Sequence, residues 1–208
     1  AHCPGRPGPL AGPGLPRRNR DNRARPPQNP GMELPGIKLF DLHGRTALVT
    51  GGSKGLGKVM AAGLASAGAR LVLVSRHAGE ARAAARELSA EYGQEAIGLQ
   101  ADVSQPAEIE SMLTAATEKF GPPGILINSA GINTRGPIGD LSLEQFEDVM
   151  RINVTGTWLC SRAVIPAMRE AGWGRIINLS SAIGLVGVPE RTPYASSKGA
   201  VTQLTRSL

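Results

Sequence analysis

Cysteine, histidine and aromatic residues are scarce in this chain of 208 residues. Two cysteines, Cys3 and Cys160, are too few for a disulfide framework and too far apart for a C-x-x-C metal site. Only His2, His43 and His77 are available as imidazole ligands, so no metal site is expected. Aromatics make up 3% of the residues, which argues against the stacking platforms used on single-stranded nucleic acid. No apolar run reaches the roughly 18 residues of a membrane span. A cytoplasmic protein with no membrane partner is expected.

Acidic charge is missing from one region only. The chain carries a net charge of +6, yet residues 1–30 hold six arginines against the single acid Asp21, a balance of +5. Residues 31–208 hold 17 bases and 16 acids and are close to neutral. The first 30 residues also contain eight of the 16 prolines and almost no large apolar side chain, so they cannot offset the entropy of becoming ordered. Residues 1–33 are read as a disordered Pro/Arg-rich tail, and 34–208 as one domain. The tail has no apolar stretch for a signal peptide and no serine for a transit peptide, and Met32 looks like a natural start. A basic arm that grips phosphates is the alternative use of such a tail, but no nucleic-acid partner is expected.

From Leu34 onward two patterns alternate. Short β-branched or leucine runs at Thr46–Thr50, Arg70–Ser75, Ala96–Ala101, Ile125–Asn128 and Arg175–Leu179 read as buried strands. Between them Ile109, Met112, Leu113, Ala116 and Phe120 line one face of a helix, and Ala78–Tyr92 and Leu141–Ala171 read as helices too. Strands alternating with helices predict an α/β fold with a doubly wound parallel sheet.

Three constellations carry chemistry. Thr50-Gly51-Gly52-Ser53-Lys54-Gly55-Leu56-Gly57 follows the first strand and opens a helix, the context of a phosphate loop in a Rossmann-type fold. Glycine lets the backbone approach a pyrophosphate, whose charge is met by free amides at the helix start; a merely tight strand-to-helix turn is the alternative. The second strand ends in Ser75-Arg76, without the carboxylate that binds ribose hydroxyls, and Lys54 adds a second positive charge, which favours NADP over NAD. Arg76 as a strand cap with a solvated Lys54 is the plainer alternative. Tyr194 and Lys198 stand at i and i+4, with Thr192 as N-cap and Pro193 as first helical residue, so phenol and ammonium share a helix face. A nearby cation favours a phenol's charged form and suits it to acid–base work, although an ordinary surface pair has the same spacing.

From Phe40 to the end these residues resemble the short-chain dehydrogenase/reductase family. The family's glycine motif matches Thr50 to Gly57, its adenine-contacting aspartate matches Asp102 followed by Val103, and its Asn-Asn-Ala-Gly motif matches Asn128-Ser129-Ala130-Gly131. Ser129 is the one departure from that last motif. The resemblance implies a cofactor site formed by Gly51, Ser53, Lys54, Gly55, Leu56, Gly57, Ser75, Arg76, Asp102, Val103, Asn128, Ala130, Gly131, Tyr194 and Lys198. It implies a catalytic tetrad of Asn153, Ser181, Tyr194 and Lys198, with Ser181 chosen over Ser180 because it lies 13 residues before the tyrosine. Ser181 would hold the substrate oxygen, Tyr194 would pass its proton, Lys198 would bind the nicotinamide ribose and lower the tyrosine pKa, and Asn153 would position a water.

Family members continue past the point where this chain stops, ten residues after Lys198. The resemblance therefore implies a domain without its last strands, an open edge at Arg175–Leu179, an unfinished substrate pocket, and a homodimer or homotetramer when complete. The stretches Phe40–Thr50 and Ala130–Pro137 look like sugar-acid members such as gluconate 5-dehydrogenases, with Arg135 facing a substrate carboxylate. A 3-oxoacyl-carrier-protein reductase and an inactive nucleotide-binding protein are the alternatives.

Overall fold

Five short runs of β-branched and leucine residues supply the sheet. In the computed structural model, which describes residues Gly36–Leu208, they form β1 (Thr46–Thr50), β2 (Arg70–Ser75), β3 (Ala96–Gln100), β4 (Ile125–Asn128) and β5 (Arg175–Asn178). All pair in parallel in the order β3-β2-β1-β4-β5, with Thr50 level with Val74 on one side and with Asn128 on the other. The expected strands at Ala96–Ala101 and Arg175–Leu179 each end one residue earlier, at Gln100 and Asn178, although the Ala101 and Leu179 N–H groups still donate to the Ser75 and Asn128 carbonyls of the neighbouring strands. Residues 1–33, read as a tail, and the boundary at residue 34 lie outside the described residues.

The helices α1 (Gly55–Ser66), α2 (Ala78–Tyr92), α3 (Pro106–Phe120), α4 (Leu143–Met150), α5 (Gly156–Glu170) and α6 (Thr192–Ser207) complete the unit. Ala47, Val49, Leu71 and Leu73 meet the alanine-rich faces of α1 and α2 on one side of the sheet. Leu48, Val72, Val74 and Leu126 meet α3 and α5 on the other. This is the doubly wound, Rossmann-type arrangement, and the alternation of a strand's side chains between faces is why β1 and β2 read as continuous apolar runs. Leu48, Leu71, Leu73 and Leu126 are fully buried, each contributing about 1.5–3 kcal/mol by removal from water. Ile109, Met112, Ala116 and Phe120 form the buried stripe of α3, as their spacing requires. Cys160 lies in the same core, and burial pushes its thiol up to about 12.

Two helix readings are corrected. The stretch expected as one helix over Leu141–Ala171 begins at Leu143, where Ser142 and Gln145 form a capping box, and is interrupted by a π-helical turn at Arg151–Thr155. Thr192, expected as an N-cap, is the first residue of α6; Arg191 takes the cap position and no side-chain hydrogen bond closes that end.

Helix α2 sits directly on β3 at Gly98. A Cβ there would lie 2.2 Å from the carbonyl carbon of Ala81 and 2.3 Å from the Arg82 nitrogen, backbone atoms that cannot rotate aside. Gly98→Val, which favours strand conformation, is nevertheless expected to lower stability by about 1–3 kcal/mol through overpacking, read as a reduced urea midpoint. An unchanged midpoint would show that α2 is free to lift off the sheet.

Candidate active site

The chain reverses its winding between β1 and β4, and a cleft of about 460 Å³ opens there at the carboxyl ends of the strands. Its floor is a close crossing of two turns. Gly51 has φ +64°, and a Cβ on it would lie 2.9 Å from the Ala130 nitrogen; a Cβ on Gly57 would lie 2.3 Å from the Gly51 carbonyl oxygen. Thr50 Oγ1 accepts the Ser129 and Ala130 N–H groups, both at 3.2 Å, and stitches the end of β1 to the exit of β4. Lys54 precedes α1 in extended conformation with no side-chain cap, so the first helical amides are left for another acceptor.

Beside this floor the ends of β2 and β3 add polar groups. Ser75 Oγ accepts the His77 N–H at 3.2 Å, and among the described residues no carboxylate pairs with Arg76. Asp102 accepts from Ser104 N–H at 2.9 Å and Ser104 Oγ at 2.8 Å. Burial pushes the Asp102 carboxyl up, but these two bonds, with Arg76 and Arg151 nearby, hold it below the usual carboxylate value. Arg151, in the π turn, donates to Ser104 Oγ at 3.2 Å and pairs with Asp148.

The remaining wall comes from α6. Tyr194 and Lys198 both line the cleft, with Lys198 Nζ 5.6 Å from the Tyr194 ring centre. Lys198 is 7% exposed and donates to the Leu179 carbonyl at 2.6 Å. Burial lowers its pKa from the usual lysine value. Asn153 in the π turn grips Ile132 from both sides, accepting its N–H at 2.8 Å and donating to its carbonyl at 2.9 Å, and donates to Ser197 Oγ at 3.0 Å. Ser180 Oγ donates to the Lys198 carbonyl at 2.9 Å, whereas Ser181 Oγ accepts the Ile183 N–H at 3.2 Å.

Of the residues singled out from sequence, Gly51, Ser53, Lys54, Leu56, Gly57, Ser75, Arg76, Asp102, Val103, Ala130, Gly131, Tyr194 and Lys198 line this cleft. Gly55, Asn128, Asn153, Ser181 and Arg135 do not. Asn128 is instead a buried bracket, its Nδ2 donating to Asn178 Oδ1 at 2.8 Å and Ser161 Oγ at 3.1 Å. Sequence reading missed the hydroxyl of Thr50, Ser197 and Glu80. The threonine just before the glycine loop was visible in sequence; the other two act across elements whose contact no spacing reveals. Among the described residues no group of three His, Cys, Asp or Glu side chains could hold a metal ion, and no helix is long and apolar enough to cross a membrane.

Residues 45–208 match the family model described as short chain dehydrogenase. The chain is 34% identical over 165 residues to a D-beta-hydroxybutyrate dehydrogenase of Rhizobium meliloti, covering 79% of this chain and 64% of the relative. It is 35% identical over 170 residues to a 5-keto-D-gluconate 5-reductase of Escherichia coli, covering 82% and 66%. A solved short-chain type dehydrogenase/reductase from Mycobacterium marinum superposes with a TM-score of 0.78 at 36% identity, over 82% of this chain and 68% of that one. The chain belongs to the short-chain dehydrogenase/reductase family. It spans slightly less than two thirds of the length of these two curated relatives.

Lys198 gives the cleft a pH signature. Its folded pKa lies below that of the unfolded chain, so between the two values the unfolded state binds more protons and stability rises with pH. The parent is expected to gain stability relative to Lys198→Met as pH climbs through that window towards the ordinary lysine value, measured by urea unfolding at each pH. Parallel profiles would mean that the ammonium is not desolvated.

Proposed function

We propose that the cleft binds a nicotinamide dinucleotide, NADP in preference to NAD, and that the protein interconverts a secondary alcohol and a ketone at Tyr194. The observation that carries this reading is the convergence of the bare glycine loop, the Asp102 and Ala130–Gly131 turns, and the Tyr194–Lys198 pair on one cleft.

The residues fit such a cofactor. The side-chain-free surface of Gly51 and Gly57 and the uncapped start of α1 suit a pyrophosphate, which needs close backbone approach and free amides. Lys54 and Arg76 suit a 2′-phosphate, and neither Ser75 nor Arg76 would repel one. Asp102 and Val103 would flank the adenine, and Lys198 would hold the nicotinamide ribose. Bound NADP(H) supplies or accepts the hydride.

The protein's own share is proton handling and orientation. The Tyr194 hydroxyl gives its proton to the ketone oxygen in reduction and takes it back in oxidation. Lys198, buried and held by the Leu179 carbonyl, places a positionally fixed ammonium beside the phenol ring. Ser181 does not line the cleft, so its assignment as donor to the substrate oxygen rests on the family match. Its oxygen caps the turn at Ile183 through a lone pair and its O–H has no partner among the described residues, whereas Ser180 Oγ donates to the Lys198 carbonyl. The Asn153 amide is likewise spent on Ile132 and Ser197, so a relay water would be held by the Asn153 main-chain carbonyl, which also accepts from Thr157 Oγ1 at 2.7 Å. Likeness to relatives named for hydroxybutyrate and keto-gluconate supports a small hydroxy acid, such as a sugar acid, as substrate. Pairing of α5 and α6 between two copies belongs to the same proposal, supported by Trp158, 46% exposed on α5.

Tyr194→Phe keeps the ring and removes the proton; in a chain with measurable NADPH-dependent reduction it is expected to lose at least about a hundredfold in kcat/KM. Retention within tenfold would overturn the role of Tyr194. Arg76→Asp is expected to turn cofactor preference towards NAD, because a carboxylate repels the 2′-phosphate and accepts from a 2′-hydroxyl. Titration showing that the parent already binds NAD more tightly than NADP would overturn the cofactor assignment.

A further inference from the structure

Lys54 and Arg76 do not stand in the cleft on equal terms. Lys54 Nζ lies 3.5 Å from Glu80 Oε2, and Ser53 Oγ donates to that same oxygen at 3.3 Å. Glu80 belongs to the first turn of α2 and reaches across to the glycine loop, so a carboxylate already sits on one of the two cations suited to a 2′-phosphate. Among the described residues only Glu80 and Asp102 bring carboxylates to the lining of the cleft. Asp102 takes both Ser104 donors on Oδ1 at the end of β3, whereas Glu80 is the carboxylate that reaches the glycine loop and contacts Lys54 and Ser53. Desolvation pushes the Glu80 carboxyl up, but Lys54, Ser53 and His77 together hold it below the usual value, so it is charged throughout the neutral range. Side-chain exposures of 77% for Lys54 and 42% for Glu80 make the pair one that water and ions can open at little cost.

We propose that Glu80 sets cofactor selectivity by acting as a resident anion that competes with a 2′-phosphate for Lys54. The proposal rests on the reading of the cleft as a dinucleotide site. A phosphate monoester carries about −1.5 to −2 charges at neutral pH, and to reach Lys54 it must displace Glu80, which then remains nearby as an uncompensated like charge. A 2′-hydroxyl carries no charge and can itself donate to Glu80. The carboxylate therefore pulls the preference for NADP below the level that Lys54 and Arg76 alone would create. Ser53 Oγ donates to the same Glu80 oxygen that Lys54 approaches, so two groups of the glycine loop face this carboxylate.

The test is calorimetric titration of the 208-residue chain with 2′,5′-ADP and with 5′-AMP, in the parent, Glu80→Gln, Lys54→Met and the double variant. Glu80→Gln is expected to raise the ratio of 2′,5′-ADP to 5′-AMP affinity roughly two- to fivefold, the span of an exposed ion pair. The rise should vanish in the Lys54→Met background and shrink at about 0.5 M salt, where screening acts within a few ångströms. A ratio that stays constant or falls overturns the proposal, a fall meaning that Glu80 holds Lys54 in position for the phosphate. A rise that survives Lys54→Met overturns it as well. If the parent binds neither nucleotide, the dinucleotide reading fails and this proposal fails with it; if it binds 5′-AMP and the ratio does not move, only the role of Glu80 falls.

Discussion

Everything in the cleft depends on how closely the β1–α1 turn approaches the exit of β4. A side chain at Gly51 would run into the Ala130 backbone, and one at Gly57 would run into Gly51 itself. Thr50 then uses its hydroxyl to accept two amides that the diverging strands would otherwise leave without partners. This crossing lies at the switch point of the sheet, where α1 and α2 cover one face and α3 and α5 the other. Because the helices part there, the carboxyl ends of β1 and β4 stay open, and glycine keeps the opening free of side chains.

A second tier of polar contacts keeps the walls in register. Asn153 clamps both backbone groups of Ile132 and reaches Ser197, so the loop after β4, the π turn and α6 share one side chain. Asn128 performs the same service one layer down, joining β4 to Asn178 of β5 and Ser161 of α5. Such groups are costly to bury unless satisfied; both polar side-chain atoms of Asn153 have partners, whereas only Nδ2 of Asn128 does, its Oδ1 being buried without one among the described residues. The π turn at Arg151–Thr155 belongs to this tier: it directs Asn153 inward while Arg151 reaches Ser104 beside Asp102.

Charge is distributed unevenly along the cleft. Lys198 is buried and held by a single carbonyl, so its ammonium is under desolvation strain, whereas Lys54 is exposed and held by a carboxylate. Removing water makes one cation sensitive to pH and rigid in position. Exposure makes the other exchangeable, and an exchangeable cation is where an arriving anion competes with a resident one.

Local sequence was sufficient for whatever depends on neighbours in the chain. Short apolar runs locate the strands and a period-3.6 pattern locates the buried stripe of α3, since these signals lie within consecutive residues. The glycine loop, the Asp102 turn and the Tyr194–Lys198 pair were legible because their chemistry lies within a few consecutive residues. Tertiary structure alone decided that Asn128 turns away from the cleft into a bracket, that the Asn153 amide is spent on Ile132, and that the long helix breaks into a π turn at Arg151. It also decided that Lys54 already has an anionic partner. Glu80 lies 26 residues further along the chain, and only the packing of α2 beside the β1–α1 turn brings the two charges to 3.5 Å. Such contacts are selected by the free energy of the whole packed sheet, and the residues on either side of them carry no trace of it.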